Sequence, residues 1–306
     1  MRIRLLLPCL LILLASACGA AAGHSPAGGP RAPVAAASVS TPLCGAATTA
    51  PITHVVLIMM ENTSAATANA LPYVTRLRHH CGLATDYHAV THPSLGNYIA
   101  LTSGSIPRSI RGTDCSPSAT CRSLHGSIFG QLGDRWRVYA QSMPSPCYTG
   151  TTSLYAVRHT AAPYYPAVRA ACRHQQVRLR NLRTALADGR LHRFSLVVPN
   201  VVDDMHNGCA SCGNDFLKTW IGRIHASPQY QDGSTVVFVT WDENDGTSGN
   251  QVSLLAMSPR TPAGARVTAR LTHYSLLRSI EALLGLPYLG AAKTAPGGIN
   301  RGFGLR

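Results

Sequence analysis

Carboxylates are scarce in this chain, and nearly half of them fall in three short segments. The sequence has 306 residues, with 27 lysine and arginine side chains but only 13 aspartate and glutamate side chains. Six of these 13 acids lie at residues 61, 203–204 and 242–245. A site that binds a hard divalent cation needs several oxygen ligands close together. The clustering therefore predicts a cation site.

Each acidic segment follows a short apolar run that is typical of a buried strand. The runs cover residues 54–60, 194–200 and 235–241, and they are rich in β-branched side chains without polar alternation. Central strands of parallel sheets have this pattern. Ligands of open α/β sheets bind beyond the carboxyl ends of the strands. We therefore expect the acidic segments to converge at one edge of a sheet.

Helical patterns lie between these runs. Residues 71–81, 126–136 and 272–286 have helical periodicity, and a further helix is expected from Asn97. The pattern at 272–286 is the clearest, because its apolar side chains share one face and Gly285 fits a helix stop. Strands that alternate with helices predict an α/β fold, a three-layer sandwich with a mostly parallel central sheet.

Two motifs at the predicted strand ends offer ligands for a cation, and each has a structural alternative. Glu61 and Asn62 provide a carboxylate and an amide oxygen, although Asn62 or Ser64 could instead cap a helix. Asp242 and Glu243 repel each other unless a cation or an arginine lies between them. An exposed acidic turn is the alternative for this second pair.

The segment 87–104 contains a candidate nucleophile. Ser94 follows Pro93 and precedes the expected helix. Backbone N–H groups and the helix dipole at such a position suit a phosphoryl oxyanion. A serine that only caps the helix would explain the same residue.

Seven motifs together resemble the bacterial phosphoesterase family, which includes secreted acid phosphatases and phosphatidylcholine-type phospholipases C within the alkaline phosphatase superfamily. In chain order, between about residues 52 and 290, they are HVVLIMMENTS, THPSLGNYIALTSG, YAQSMPSPC, RHTAAPYY, PNVVDDMHNG, FVTWDENDG and THYSLLRSIEALLGL. Any one of these motifs is weak evidence for the family, whereas seven motifs in the family's order are specific evidence. The resemblance implies an alkaline-phosphatase-like α/β sandwich that hydrolyses phosphate esters with a metal.

The resemblance also implies roles for individual residues. The metal ligands would be Glu61, Asn62, Asp242 and Glu243. Ser94 would be the nucleophile, because its spacing to Asn97 is that found in the related nucleotide pyrophosphatase-like enzymes. Asn97 would donate a hydrogen bond to a phosphoryl oxygen. Further polar positions of the family's site match His159, Asp204 and His206.

The chemistry expected of these residues is a two-step transfer. A cation would lower the pKa of the Ser94 hydroxyl and neutralise phosphoryl charge. Ser94 would attack phosphorus in line and form a phosphoserine, which water then hydrolyses. Arg158 could hold a non-bridging oxygen. His159 or His206 could protonate the leaving alcohol.

Gly96 and Gln251 depart from the family pattern. Gly96 stands where proline is usual, which is expected to loosen the turn that directs Ser94. Gln251 stands near a position where histidine is common, so one divalent cation is favoured over two. His273 could compensate for the missing ligand, or it could be a satisfied surface histidine.

The N-terminus predicts export. Residues 1–18 read as a secretory signal peptide, and ASAC ending at Cys18 resembles a lipobox that would leave a lipid anchor. Plain secretion is the alternative. Residues 19–45 read as a disordered tether rich in alanine, glycine, proline and serine, and residues 46–306 as the phosphoesterase domain. We expect the protein at the outer face of the cell membrane, touching it only through the anchor, or secreted.

Eight cysteines beyond the signal peptide predict disulfides in an exported protein. Spacing favours the pairs Cys115–Cys121 and Cys209–Cys212. Among the remaining four, the pairs Cys44–Cys81 and Cys147–Cys172 are our interpretation. A zinc site at the CxxC of residues 209–212 is the alternative, although no second CxxC accompanies it.

The formal net charge of +14 favours anionic partners such as phosphoesters, anionic lipids or nucleic acid. Nucleic acid is not expected, because the basic residues are not interleaved with aromatic ones. A small phosphoester or a phospholipid is the expected substrate. The leading prediction is an acid-phosphatase-like monoesterase. The alternatives are a phospholipase C-type phosphodiesterase and a catalytically weak binding lipoprotein on the same fold.

Overall fold

The computed structural model describes residues 41–306, apart from the side chain of Ser248. The predicted signal peptide, the lipidated Cys18 and the tether up to residue 40 lie outside the described residues and stay predictions. Residues at the end of the predicted tether contact the domain: the Thr41 backbone N–H donates to Gln231 Oε1 at 2.8 Å. Among the helices described, none is long and apolar enough to cross a membrane.

The structure contains the following strands. They are β1 His54–Met60, β2 Gly82–Ala84, β3 Tyr87–His88, β4 Trp136–Ala140, β5 Gln176–Arg178, β6 Phe194–Val198, β7 Thr235–Trp241, β8 Leu254–Met257, β9 Arg266–Val267 and β10 Leu271–Thr272. The α-helices are α1 Ala65–Ala70, α2 Pro72–His80, α3 Ser94–Ser103, α4 Ile128–Leu132, α5 Arg169–Gln175, α6 Arg180–Ala187, α7 Ala210–His225, α8 Pro228–Gln231, α9 His273–Leu283 and α10 Ile299–Gly302. Short 3₁₀ turns include Val157–His159.

Eight strands form the central sheet in the order β5-β4-β6-β1-β7-β8-β2-β9. The first five strands in this order are parallel to one another, and β8 is antiparallel to both of its neighbours. Helices cover both sides of the sheet, which confirms the predicted α/β sandwich with a mostly parallel sheet. The strands β1, β6 and β7 lie side by side in its centre, and nearly all of their side chains are buried. Their apolar, non-alternating sequences follow from this burial on two faces.

The sequence patterns agree with most of these elements. The runs at 54–60 and 235–241 are strands throughout, whereas the run at 194–200 stops at Val198, just before Pro199. Proline lacks the N–H that would continue the ladder. The helix predicted from Asn97 begins earlier, at Ser94.

One helix prediction is largely wrong. Of the residues 126–136, only Ile128–Leu132 are helical. Gly133 ends the helix with a φ of 64°, a left-handed value that glycine adopts without strain. Trp136 then begins β4 and pairs with Phe194 of β6. The apolar side chains that suggested a longer helix belong partly to a strand.

Four disulfide bonds connect the chain as predicted. They join Cys44 to Cys81, Cys115 to Cys121, Cys147 to Cys172 and Cys209 to Cys212. The alternative of a zinc site at Cys209 and Cys212 is wrong in this structure, because both sulfur atoms are used in the bond. Disulfides persist in oxidising compartments, so they indicate an exported protein.

Candidate active site

The carboxyl ends of β1, β6 and β7 meet at one point, as the sequence predicts. Met60 and Trp241 are partners in the β1–β7 register, so Glu61 and Asp242 leave the sheet at the same level. The Asp242 backbone N–H donates to the Met60 carbonyl at 2.9 Å, and the Glu61 backbone N–H donates to the Asp204 carbonyl at 2.8 Å. These backbone hydrogen bonds hold the three acidic segments together.

The strand-end cluster, as we name it, consists of Glu61, His159, Asp204, Asp242 and Glu243. Glu61, Asp204 and Asp242 are fully buried, His159 is 1% exposed and Glu243 is 7% exposed. Four carboxyl groups at this depth are unfavourable without compensating positive charge. The fold therefore builds a site rather than a solvated acidic turn.

Asn62 follows Glu61 in a left-handed backbone conformation with a φ of 44°. Asparagine tolerates this region better than most residues. The Asn62 backbone N–H donates to Asp242 Oδ1 at 3.1 Å. Asn62 Oδ1 and Asp242 Oδ2 are both buried without a hydrogen-bond partner. Buried oxygens are rarely left unpaired, so these two are positioned for a ligand such as a cation.

Ser94 lies at the first position of α3 and is 2% exposed. Its hydroxyl donates to Glu61 Oε2 at 3.1 Å. The Ser94 hydroxyl is also close enough to Asp242 and Glu243 to lower the pKa of each, against the larger effect of burial, so it lies beside three carboxyl groups of the cluster. The helix N-terminus behind it adds positive partial charge.

Asn97 lies near Ser94 but is occupied by protein partners. Its Oδ1 accepts from the Val90 and Thr91 backbone N–H groups at 3.1 and 3.2 Å. Its Nδ2 donates to the Thr91 carbonyl at 2.9 Å and to Glu243 Oε2 at 3.4 Å. Asn97 therefore holds the loop that precedes Ser94. A bond to a phosphoryl oxygen would have to replace the long one to Glu243.

His159 connects two carboxyl groups of the cluster. Its Nδ1 lies 3.2 Å from Asp204 Oδ2, and its Nε2 lies 3.3 Å from Glu61 Oε2 without an aligned hydrogen bond. The ring stacks on Tyr98 with centroids 5.6 Å apart and planes 4° apart. The Tyr98 hydroxyl donates to Glu61 Oε1 at 2.5 Å. Tyr98 lies four residues after Ser94 on α3, a spacing that places both on one face and could have identified it from the sequence.

Arg158 and His206 lie at the edge of the cluster. Arg158 Nη2 donates to His206 Nε2 at 2.9 Å. Arg158 Nε lies 3.2 Å from Asp114 Oδ2. Asp114, which the sequence analysis did not select, also accepts from the Leu95 backbone N–H at 2.9 Å. It comes from the long connection between α3 and α4, whose path no sequence periodicity indicates.

The pKa values reflect the burial of these groups. Burial raises the pKa of Asp242 to about 7, that of Asp204 to about 8 and that of Glu243 to about 9. Burial, followed by the charges of Asp242 and Asp204, also raises the pKa of Glu61 well above its ordinary value. Burial and the nearby Arg158 lower the pKa of His159 well below its ordinary value. Perturbed groups that gather in one place are characteristic of functional sites.

Two overlapping groups of side chains could hold a metal ion, and they share Glu61. One is the predicted oxygen set of Glu61, Asn62, Asp242 and Glu243. The other is Glu61, His159 and His206, whose ligand atoms lie within 4.8 Å of one another. The unpaired Asn62 Oδ1, Asp242 Oδ2 and His159 Nε2 fit such an ion.

The residues that depart from the family pattern have structural explanations. A Cβ atom on Gly96 would lie 2.5 Å from Thr91 Cγ2, so close packing occupies the space of a side chain there. Whether Gly96 loosens this turn stays a prediction. Gln251 Nε2 donates to the Thr85 carbonyl at 2.9 Å.

His273 is fully buried, so the reading as a surface histidine is wrong. Its Nδ1 lies 2.7 Å from the Tyr87 hydroxyl, and its Nε2 lies 2.7 Å from the Asp242 carbonyl oxygen. With both ring nitrogens engaged, His273 supports Asp242 from behind. It does not replace the missing ligand in this arrangement.

Curated relatives share a considerable part of the chain. A phosphatidylinositol-3-phosphatase of Mycobacterium tuberculosis is 28% identical over 257 residues, which are 79% of this chain and 80% of that protein. An acid phosphatase of Aspergillus fumigatus is 25% identical over 223 residues, 68% of this chain but only 49% of that protein. The chain thus spans about half the length of this fungal relative.

Solved structures show the same fold at low sequence identity. A protein in the alkaline phosphatase superfamily from Vibrio parahaemolyticus matches with a TM-score of 0.57 and 12% identity, over 83% of this chain and 72% of that one. The lipoteichoic acid synthase LtaP from Listeria monocytogenes matches with a TM-score of 0.55 and 9% identity, over 80% and 76% of the two chains. These matches show that the sandwich is alkaline-phosphatase-like.

A sequence profile of the phosphoesterase family matches residues 66–287, a range that contains Ser94, His159, Asp204 and both residues of the second acidic pair. Glu61 and Asn62 lie just before it. The match covers well over half of the chain, and the fold agrees with it. The chain therefore belongs to the phosphoesterase family and is a hydrolase that acts on phosphate esters.

Proposed function

We propose that the protein hydrolyses phosphate monoesters through Ser94 with the help of a divalent cation, as an acid-phosphatase-like enzyme. The observation that carries this proposal is the position of the Ser94 hydroxyl. It lies in the first turn of α3, is buried, and donates to Glu61 Oε2 at 3.1 Å beside Asp242 and Glu243. A serine that only capped its helix would bond to backbone N–H groups of the first turn and would not need to contact buried carboxyl groups.

A cation fits this place because the residues around Ser94 leave buried oxygen atoms unpaired. Asn62 Oδ1 and Asp242 Oδ2 have no partner among the described residues. Glu61, Asn62, Asp242 and Glu243 are the residues that would hold the ion, and one ion is our preference. When bound, the ion would lower the pKa of the Ser94 hydroxyl and offset the charge of the phosphoryl group.

Protein side chains carry out the remaining steps. Glu61 Oε2 accepts the hydrogen bond of Ser94 and so orients its oxygen for attack on phosphorus. Tyr98 and His159 hold Glu61 in that orientation. Attack forms a phosphoserine and releases the alcohol, and water then cleaves the phosphoserine to return free Ser94 and phosphate.

Arg158 and His206 are placed to act on the phosphoryl group and the leaving alcohol. Arg158 is a donor for a non-bridging oxygen. His206 is half-buried, whereas His159 is buried between two carboxyl groups, so a leaving alcohol reaches His206 more readily. We therefore assign proton donation to His206, whose Nε2 would have to release the Arg158 bond and take up a proton, and a positioning role to His159.

A comparison of p-nitrophenyl phosphate with bis(p-nitrophenyl) phosphate tests the proposal. Turnover of the monoester should exceed that of the diester, should fall on addition of a chelator, and should return with a divalent cation. The Ser94→Ala variant should lose activity by roughly 1,000-fold or more. A matched control is Ser123→Ala, because Ser123 is equally buried but its hydroxyl has no hydrogen-bond partner.

The other outcomes separate the alternative functions. A preference for the diester would favour the phospholipase C-type reaction. Absence of turnover with every divalent cation, in a folded protein that still binds phosphate, would favour a binding lipoprotein. Unchanged turnover in Ser94→Ala would exclude Ser94 as the nucleophile. The lipid anchor at Cys18 and the choice between a small phosphoester and a phospholipid substrate stay predictions.

A further inference from the structure

The Asp114 carboxylate lies against two donors of the kind that bind phosphate. Its Oδ1 accepts from the Leu95 backbone N–H, in the first turn of the ten-residue helix α3, at 2.9 Å. Its Oδ2 lies 3.2 Å from Arg158 Nε, as a charge pair without an aligned hydrogen bond. A free N–H at a helix start and an arginine guanidinium are standard donors to phosphoryl oxygens. We name these two donors the anion seat.

The anion seat adjoins the proposed nucleophile. Leu95 directly follows Ser94, and Arg158 also donates to His206 Nε2 at 2.9 Å. A phosphoryl group on Ser94 Oγ would bring two or three further oxygens to this neighbourhood, and they would need donors. In the present structure Asp114 accepts from the Leu95 N–H and pairs by charge with Arg158.

The position of Asp114 is electrostatically unfavourable with respect to the other carboxyl groups. Burial is the largest cause of the raised pKa values of Asp242 and Glu243, and the charge of Asp114 raises both further. A carboxylate that served only to cap α3 or to hold Arg158 would add this repulsion permanently. A carboxylate that leaves when substrate arrives would add it only to the substrate-free enzyme.

We propose that Asp114 is an internal anion that fills the anion seat in the substrate-free enzyme and that the substrate phosphate displaces it. The proposal rests on the proposed function of Ser94. No bond is made or broken in this step, because one anion exchanges for another on the same donors. The affinity for phosphate is consequently reduced by the work of displacing Asp114.

The surroundings of Asp114 allow its side chain to leave while its backbone stays. The side chain is 32% exposed, so it has open solvent on one side. Its neighbour Cys115 is fixed by the disulfide to Cys121, and the Cys115 carbonyl accepts from the Tyr164 hydroxyl at 2.8 Å. Rotation of the Asp114 side chain is therefore sufficient, and the loop does not have to move.

Binding of inorganic phosphate to the Asp114→Asn variant tests the displacement. Asparagine retains an oxygen for the Leu95 N–H but has no charge to compete for Arg158. Titration calorimetry with inorganic phosphate, at a fixed concentration of a divalent cation, should show binding that is about tenfold tighter than in the wild type. The KM for p-nitrophenyl phosphate should fall by a similar factor, whereas kcat should change less.

The matched control is Asp188→Asn. Asp188 also pairs with an arginine, Arg190, and its side chain is 37% exposed, but it lies after α6 and has no contact with the cluster. This variant changes the net charge equally and should leave phosphate binding unchanged. If Asp114→Asn and Asp188→Asn both bound phosphate more tightly, the change of net charge alone would explain the gain, and the proposal would be overturned.

The other outcomes are also decisive. Weaker phosphate binding and a lower kcat in Asp114→Asn would show that Asp114 positions Arg158, and unchanged binding would show that Asp114 only caps α3. Either result would overturn the proposal. Phosphate binding is measured without turnover, so it tests the displacement even if Ser94 is not the nucleophile. The Asp114→Ala variant should show the same gain of affinity, and the absence of a gain in both variants would overturn the proposal.

Discussion

Two regions of the protein bury titratable side chains, and the two regions differ in how many hydrogen-bond partners these side chains have. In the strand-end cluster, Asp242 Oδ2 and His159 Nε2 have no hydrogen-bond partner, and neither does Oδ1 of the adjacent Asn62. In helix α9, His273 has partners at both ring nitrogens, and Glu281 Oε1 accepts from the Leu289 backbone N–H at 3.0 Å, which leaves Glu281 Oε2 as a single unpaired atom. His273 and Glu281 are as deeply buried as Glu61 and Asp242. Burial alone therefore does not identify a functional group, whereas several unpaired atoms directed at one place do.

The comparison assigns different consequences to substitutions in the two regions. Changes in the strand-end cluster should reduce activity more than stability, because Asp242 Oδ2 and His159 Nε2 have no partner in the fold to lose. Changes in α9 should reduce stability more than activity, because the fold already engages both ring nitrogens of His273 and one carboxylate oxygen of Glu281.

The largest effect is expected for Glu61→Gln in the strand-end cluster. Turnover should fall by about 100-fold or more, because Glu61 contacts Ser94, Tyr98 and His159 and belongs to both candidate metal groups. The metal-free variant should be at least as stable as the metal-free wild type, because glutamine brings no charge into the cluster. Added divalent cation should raise the Tm of the wild type but not that of the variant.

Asp215→Asn is the control for this prediction, because Asp215 is an exposed acid on α7. It should retain the wild-type turnover and the wild-type response to the cation. If Glu61→Gln kept its activity and its thermal response to the cation, Glu61 would have no part in either candidate metal group.

The next largest effects are expected for substitutions of the two buried histidines, His159 and His273, and they should differ in kind. His159→Asn should lower turnover by roughly 10- to 100-fold with a small change in the free energy of unfolding, because one of its ring nitrogens lacks an aligned partner. His273→Asn should lower the free energy of unfolding by about 1–3 kcal/mol, because it leaves the Tyr87 hydroxyl or the Asp242 carbonyl unpaired. Urea unfolding and steady-state turnover of both variants measure the two effects.

The reverse pattern would contradict the comparison. Loss of stability in His159→Asn with normal turnover would make His159 a structural residue. Loss of turnover in His273→Asn with full stability would mean that His273 takes part in the reaction.

Glu281 provides a pH-dependent effect in α9. Burial raises the pKa of Glu281 to about 8, from an ordinary value of 4.5. The folded protein thus keeps a proton that the unfolded chain releases, and the resulting stability is complete below pH 4.5 and is lost as the pH rises through 8. Within this interval the contribution should fall by about 1.4 kcal/mol for each pH unit. Glu281→Gln should lack the contribution.

Urea unfolding of the wild type and of Glu281→Gln between pH 5 and pH 9 measures this contribution. The variant should gain stability relative to the wild type as the pH rises to about 8, and the difference should then stay constant. A difference that does not change with pH would show that Glu281 titrates as it does in the unfolded chain.

The sequence predicts the strand-end cluster well because the relevant information is local. Apolar β-branched runs define parallel strands, and residues that follow parallel strands reach the same edge of the sheet. Glu61, Asp204 and Asp242 therefore come together without any knowledge of the loops. The disulfide partners also agreed with the prediction, since short spacings left few combinations.

The sequence does not predict contacts that depend on long connections or on competing periodicities. Asp114 reaches Leu95 through the connection between α3 and α4, and no repeat in that segment indicates its path. The pattern at 126–136 mixes a short helix with the start of β4, and the apolar residues of both combine into one apparent helix. His273 reads as either a ligand or a surface residue, because the sequence shows neither its burial nor its partners.

The smallest effect is expected for Gly96→Ala. This variant tests whether close packing, rather than backbone flexibility, fixes the orientation of Ser94. In Gly96→Ala the new Cβ would lie 2.5 Å from Thr91 Cγ2, closer than side-chain atoms pack, so the loop or the helix has to shift. The free energy of unfolding should fall by about 1 kcal/mol, because the clash outweighs the better helix propensity of alanine. Thr91→Ser removes Cγ2 and keeps the hydroxyl that donates to the His92 carbonyl. The double variant should therefore recover most of the lost stability, as urea unfolding of the two single variants and the double variant would measure. Additive losses would show that Thr91 and Gly96 do not compete for space, and the close packing of the turn before Ser94 would then have no energetic importance.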